Sequence, residues 1–178
     1  FKYISTSLLM NRILEIFIRY IILVVVALPN LYLFYLVFTP LTLYPVYFLL
    51  GFFYNVSLMG VVISMEDFSI ELLGACIAGS AYYLLLILNL STPKIKFQKR
   101  IKMLSIAFIS FLVVNILRIF LLSIMFVSGS AWFDLTHKLF WYVGSMVFVV
   151  AIWFLEVKYF KIKEIPVYSD LKFLFSRI

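Results

Sequence analysis

Asn55-Val-Ser-Leu-Met-Gly-Val-Val-Ile-Ser-Met-Glu-Asp-Phe-Ser-Ile-Glu71 is the stretch on which the fold turns. Hydropathy alone would make residues 46–64 a membrane span. Pattern makes residues 55–71 a short β-hairpin. The stretch is rich in β-branched residues, Gly60 offers a turn, Glu66-Asp67 interrupt it, and apolar and polar residues alternate in its second half. That period of two belongs to a half-buried strand. Charge points the same way. A span here would move the N-terminus, with Lys2, Arg12 and Arg19, to the outer side of a membrane, against the Lys/Arg excess of cytoplasmic segments.

That a membrane is involved follows from composition. Of 178 residues, 66% are hydrophobic and the mean hydropathy is +1.15, whereas soluble domains are about half apolar. Runs of about 20 apolar residues are long enough to span a bilayer. They are continuous, and lipid makes the backbone satisfy its own hydrogen bonds, so the spans read as helices and not as barrel strands. The net charge of +7 lies in blocks between apolar runs, which suits membrane topology and argues against a nucleic-acid partner. Cys76 is the single cysteine, so no internal disulfide is open to the chain, and no Cys/His spacing suggests a metal or other cofactor. The sequence starts at Phe1 and reads as trimmed or as a piece of a longer chain. Its first apolar segment lacks the short core and small-residue site of a cleaved signal peptide.

Outward from the hairpin, the expected fold is an all-α polytopic membrane protein forming one domain over residues 1–178. Four spans are expected, at about 16–38, 72–90, 103–127 and 138–157, the first kinked at Pro29-Asn30. Residues 39–54, rich in Pro and Tyr, are expected as an interfacial helix of the outer leaflet, since aromatics concentrate there. With the hairpin they fill residues 39–71. The loop 91–102 carries Lys94, Lys96, Lys99, Arg100 and Lys102 and no acidic residue, so it is placed in the cytoplasm with the tail 158–178. In the cell (cytoplasmic) membrane both termini are then on the cytoplasmic side, with every Lys and Arg but Arg118 and Lys138. Glu66, Asp67, Glu71 and Asp134 fall outside.

Three side chains carry the unusual chemistry. Cys76 lies near the outer start of its span, with Gly79, Ser80 and Tyr83 at i+3, i+4 and i+7. Taken alone it reads as a small packing residue beside Gly74, Ala75, Ala78 and Gly79, which suit close helix contact. Arg118 lies about 14 Å inside the outer end of its span by helical rise, where a charge costs at least about 2.5–3.5 kcal/mol. Asn115 precedes it on the same face. His137, with Trp141 and Gly144 on its face, opens the last span. All three fall in the outer half of the bilayer on different helices, and a thiol in apolar surroundings is inert unless a cation is close.

An outer hairpin, then Ala75-Cys76 followed by Gly79 and Ser80, then Asn115-Ile-Leu-Arg118-Ile119, then His137 with Gly144 seven residues on, resembles the exosortase/archaeosortase family in a compact archaeal form. The likeness covers about Pro40 to Phe154. Many members have Ser-Gly or Thr-Gly directly after the cysteine, where this chain has Ile77-Ala78. The resemblance implies a membrane-embedded thiol peptidase or transpeptidase acting at the outer face. Its substrates would be surface proteins ending in a short motif, an apolar helix and a basic tail. Cys76 would be the nucleophile that forms a thioester, His137 the general acid/base, and Arg118 the stabiliser of thiolate or oxyanion, with Asn115 and Ser80 in support. Water or an amine-bearing lipid would resolve the thioester. The competing reading is a non-enzymatic bundle, a transporter subunit or assembly factor, in which Arg118 and Asn115 join helices and Cys76 packs.

Overall fold

A computed structural model describes the backbone of residues 2–28, 30–65 and 68–175, and the side chains of these from residue 10 onward. Pro29, Glu66 and Asp67, and with them the expected kink residue and two of the acidic residues placed outside, lie beyond the described residues.

The chain is mostly helical. Helix α1 spans Lys2–Ala27 and α2 spans Tyr32–Gly51, joined by a turn in which Asn30 and Leu31 both adopt left-handed backbone (φ 49° and 60°). A single span over 16–38 is therefore not what forms. The break comes before Tyr32, and residues 32–51 are one 20-residue helix, long and apolar enough to cross a membrane. No separate interfacial helix begins at residue 39. Pro40 and Pro45 sit inside α2 without ending it. The reason lies in the spacing of its buried residues. Phe34, Phe38, Thr42, Val46 and Leu50 recur every four positions and make one stripe along its whole length. Leu36, Val37, Leu41, Tyr44 and Phe48 on the other faces are exposed, as a lipid-facing helix surface should be.

The hairpin forms and gains a strand. Strands β1 (Val56–Met59), β2 (Val62–Met65) and β3 (Phe68–Glu71) make an antiparallel sheet in that order. Gly60 turns the first pair with φ 62°, a conformation glycine adopts without steric cost. Leu58, Ile63 and Ile70 lie opposite one another across the sheet. Ile63 and Met65 are buried, so the alternating face packs on the helices.

The remaining helices are α3 (Gly74–Ile77), α4 (Gly79–Leu90), α5 (Phe97–Val127), α6 (Phe133–Leu139), α7 (Ser145–Tyr159) and α8 (Tyr168–Phe175), with a π-helical turn at Phe140–Gly144. Among the described residues three segments have the length and apolar character of spans: Tyr32–Gly51, Phe97–Val127 and Phe133–Tyr159. Gly74–Leu90, expected as a span from residue 72, is a shorter apolar helix pair. Contacts fix the directions. Phe38 meets Phe108 and Phe53 meets Phe120, so α2 and α5 run the same way. Asn115 bonds Cys76, while Arg100 bonds the carbonyl of Asn89, so α4 runs opposite to α5. Arg118 bonds Ser145 and Lys99 bonds Phe160, so α7 also opposes α5. Tyr82, buried against Phe38, Phe108 and Phe111, marks the centre of the core. The loop after α4 and the ends of α1, α7 and α8 form a basic end; the sheet and α6 form the other.

Candidate active site

The site grows from a break in the backbone. Ala78 takes a left-handed conformation (φ 58°, ψ 46°) between α3 and α4, which costs a non-glycine residue about 1–2 kcal/mol. In an unbroken helix the carbonyls of Cys76 and Ile77 would accept from the backbone N–H groups of Ser80 and Ala81. The Ala81 N–H instead donates to Ala78 O at 2.9 Å. Two side chains one turn apart on α5 satisfy the freed carbonyls. Asn115 Nδ2 donates to Cys76 O at 3.0 Å and to Ile77 O at 3.4 Å, and Arg118 Nη2 donates to Cys76 O at 3.1 Å. An unmatched carbonyl in hydrocarbon costs several kcal/mol, so these donors hold the cysteine-bearing turn in shape. The break also resets the helix phase. Ser80 is exposed towards the Cys76 cavity, while Tyr83, expected on the cysteine's face, donates its hydroxyl to Leu23 O on α1.

Arg118 joins three helices. Its Nη1 donates to Ser145 Oγ at 3.0 Å, and its Nε–H is buried with no partner among the described residues. The guanidinium thus keeps donor capacity beyond its structural bonds. Tyr35 closes the other side. A Cβ on Gly79 would stand 2.8 Å from Tyr35 Cζ, and one on Gly74 would stand 3.3 Å from Tyr35 Cε1. The small residues next to the cysteine therefore serve the close packing that their spacing suggests.

His137, half-buried on α6, stacks on Phe133 (centroids 5.4 Å, interplanar 15°) and meets Trp141 edge-on at 6.0 Å. The π-helical turn that follows has a consequence for its neighbours. At about 100° per residue, a position eight along would lie about 80° round the helix from His137. One extra residue in the turn brings Ser145 back to nearly the same side. Both residues do line one cavity of about 490 Å³ together with Cys76, Ser80 and Arg118. Asn115 lies behind it, buried, with its side-chain Oδ1 unpartnered among the described residues. Strand β3, through Ser69, Ile70 and Glu71, forms part of the wall.

The three residues singled out from the sequence are therefore brought to one cavity from α3, α5 and α6. Two contributors escaped sequence reading. Ser145 is one of several hydroxyls in apolar runs, and Tyr35 lies in a segment whose helix was placed otherwise. A thiol, a guanidinium and an imidazole around one cavity can carry nucleophilic acyl transfer, with charge stabilisation and proton transfer from separate groups. Among the described residues no group of three or more His, Cys, Asp or Glu side chains is placed to hold a metal ion. No family model, curated protein or solved structure matches the chain.

Proposed function

We propose that this protein is a membrane-embedded cysteine peptidase or transpeptidase that processes the C-terminal sorting signals of surface proteins. The observation that carries the proposal is the shared cavity of Cys76, Arg118 and His137 at the end of the bundle opposite the basic residues. By the positive-inside rule the basic end is cytoplasmic. The cavity then opens on the extracytoplasmic side of the cell membrane, where a substrate's scissile bond would sit above its own apolar helix.

Cys76 Sγ gives its proton to His137 as it attacks the scissile carbonyl carbon, and Arg118 stabilises the developing negative charge. The C–N bond then breaks, His137 gives a proton to the leaving amine, and a thioester remains on Cys76. Water or a lipid amine, deprotonated by His137, attacks the thioester and releases the thiol. Ser69, Ile70 and Glu71 of the edge strand β3 border the cavity, and an edge strand can pair with an extended chain.

A second reading has an observation of its own. Asn115 and Arg118 are bonded to the Cys76 and Ile77 carbonyls, as pure helix-joining groups would be. Processing of a sorting-signal protein separates the readings. Loss in both Cys76→Ala and Cys76→Ser, with a hydroxylamine-labile adduct on the wild-type cysteine, supports the enzyme. Full processing in both variants overturns it.

A further inference from the structure

At the basic end, a cavity of about 370 Å³ is lined by Arg12, Lys94, Lys163, Glu164, Ser169 and Lys172, among others. These come from α1, the loop after α4, the linker before α8, and α8 itself. The cavity is built by a buried ion pair beside it and by one of its own cations, Arg12. Arg19 Nη2 holds the Asp170 carboxylate at 2.9 and 3.1 Å, and Arg19 Nη1 donates to Leu90 O at 2.9 Å. The Val167 N–H donates to Ser91 O at 3.0 Å, and the Arg12 guanidinium lies 3.7 Å over the Phe173 ring. Those ties fasten α8 across the ends of α1 and α4.

Four cations border the cavity against one carboxylate, Glu164, which Lys94 Nζ engages at 2.5 Å. Like charges gathered from four segments repel, and a fold that fixes them round a hollow gains when an anion fills it. On its other side α8 exposes Leu171, Leu174 and Phe175, with Ile165 and Val167 just before it. A short helix with apolar residues out and a basic side inward is of the kind that binds at the depth of lipid phosphates.

We infer that this cavity binds a phosphate-bearing anion, with an anionic lipid headgroup or a soluble phosphate as its source. The full chain in phosphatidylcholine vesicles, with trace spin-labelled phosphatidylglycerol or spin-labelled phosphatidylcholine, reports lipid association as an immobilised component. The expected result is a preference for phosphatidylglycerol that falls about fivefold for each lysine lost in Lys163→Gln/Lys172→Gln. Lys96→Gln/Lys102→Gln removes the same charge from exposed residues at the same end, outside the cavity, and should keep the preference. In a second arm, inorganic phosphate is titrated against chloride at constant ionic strength in a neutral detergent, and the unfolding temperature is read. A response in the first arm assigns the headgroup, and one in the second alone assigns soluble phosphate. Equal loss in both double variants, or no preference in either arm, overturns the inference.

Discussion

Replacing Arg118 with Met asks whether this buried cation is there for stability or for chemistry. The side chain makes two hydrogen bonds, to Cys76 O and Ser145 Oγ, each charge-assisted and worth about 1.5–3 kcal/mol. Their gross loss is thus about 3–6 kcal/mol. Against it stand the cost of a mid-bilayer charge, about 2.5–3.5 kcal/mol, and the unpartnered Nε–H, which disappears with the side chain. Neither former partner is abandoned. Cys76 O keeps Asn115 Nδ2 at 3.0 Å, and a helical serine hydroxyl can turn to the carbonyl four residues back. The net destabilisation should therefore be about 0–2 kcal/mol. Under the proposed function, removal of a donor to the oxyanion lowers turnover by about 10²–10³-fold. Stability is read from denaturant unfolding in mixed micelles, and turnover from processing per folded molecule. Under the same proposal the rate of Cys76 alkylation by iodoacetamide should also fall, because the cation bonded to that residue's own carbonyl is gone. A loss of more than about 4 kcal/mol with processing and alkylation rates unchanged would refute the reasoning and leave Arg118 a helix-joining group.

Gly79→Ala drives a methyl into the Tyr35 ring and should cost about 1–3 kcal/mol; Tyr35→Leu in the same chain should restore most of it, as a double-mutant cycle of unfolding would measure. Either Arg19→Leu or Asp170→Leu alone strands one partner of a buried ion pair and should cost about 3–5 kcal/mol, while the double replacement should be close to neutral, with protease release of α8 as the readout. The Lys94 ammonium, hydrogen-bonded to Glu164, holds that carboxyl below the ordinary carboxylate range. A depressed folded-state pKa contributes stability above the unfolded pKa and loses it as pH falls through the folded one. The difference in unfolding temperature between the wild type and Lys94→Gln should therefore be present at neutral pH and vanish under acid. A cysteine introduced at Gly60 in a Cys76→Ala background should react with an impermeant thiol reagent added from outside; labelling only from the cytoplasmic side would reverse the proposed orientation.

What the sequence disclosed follows from which forces act locally. Strand alternation over residues 55–71 marked the sheet because Ile63 and Met65 had to be buried while Ser64 did not. Basic residues gathered at one end because like charge shares a solvent side, and Lys94, Lys99, Arg100 and Lys161 are found there. Helix boundaries were read less well. Pro40, Pro45 and Tyr44 suggested an interfacial segment, yet the four-residue stripe from Phe34 to Leu50 keeps α2 whole, because tertiary packing outweighs two missing backbone bonds. The break at Ala78 has no local signature, since alanine is the best helix former. Its cause is distant: Tyr35 packed on Gly74 and Gly79, and donors waiting on α5.

That break also explains why the structural and catalytic readings of Arg118 share one set of bonds. Its hydrogen bond goes to the carbonyl of the cysteine residue itself, so whatever fixes the backbone at Cys76 fixes the thiol's position relative to the guanidinium. A purely structural arginine could cap Ile77 O equally well, and Asn115 already reaches that carbonyl. A purely electrostatic one would need some other group to hold the left-handed turn. With Arg118 on Cys76 O and Ser145 Oγ, α3 and α7 are pinned to α5 on either side of the cavity, and His137 enters from the segment that Ser145 anchors through the π-helical turn. The polar bonds that keep the bundle closed in lipid are the ones that hold thiol, cation and imidazole to a common cavity. Keeping a donor there without the charge, as in Arg118→Gln, should retain the fold and, under the proposed function, lose turnover, measured as processing per folded molecule.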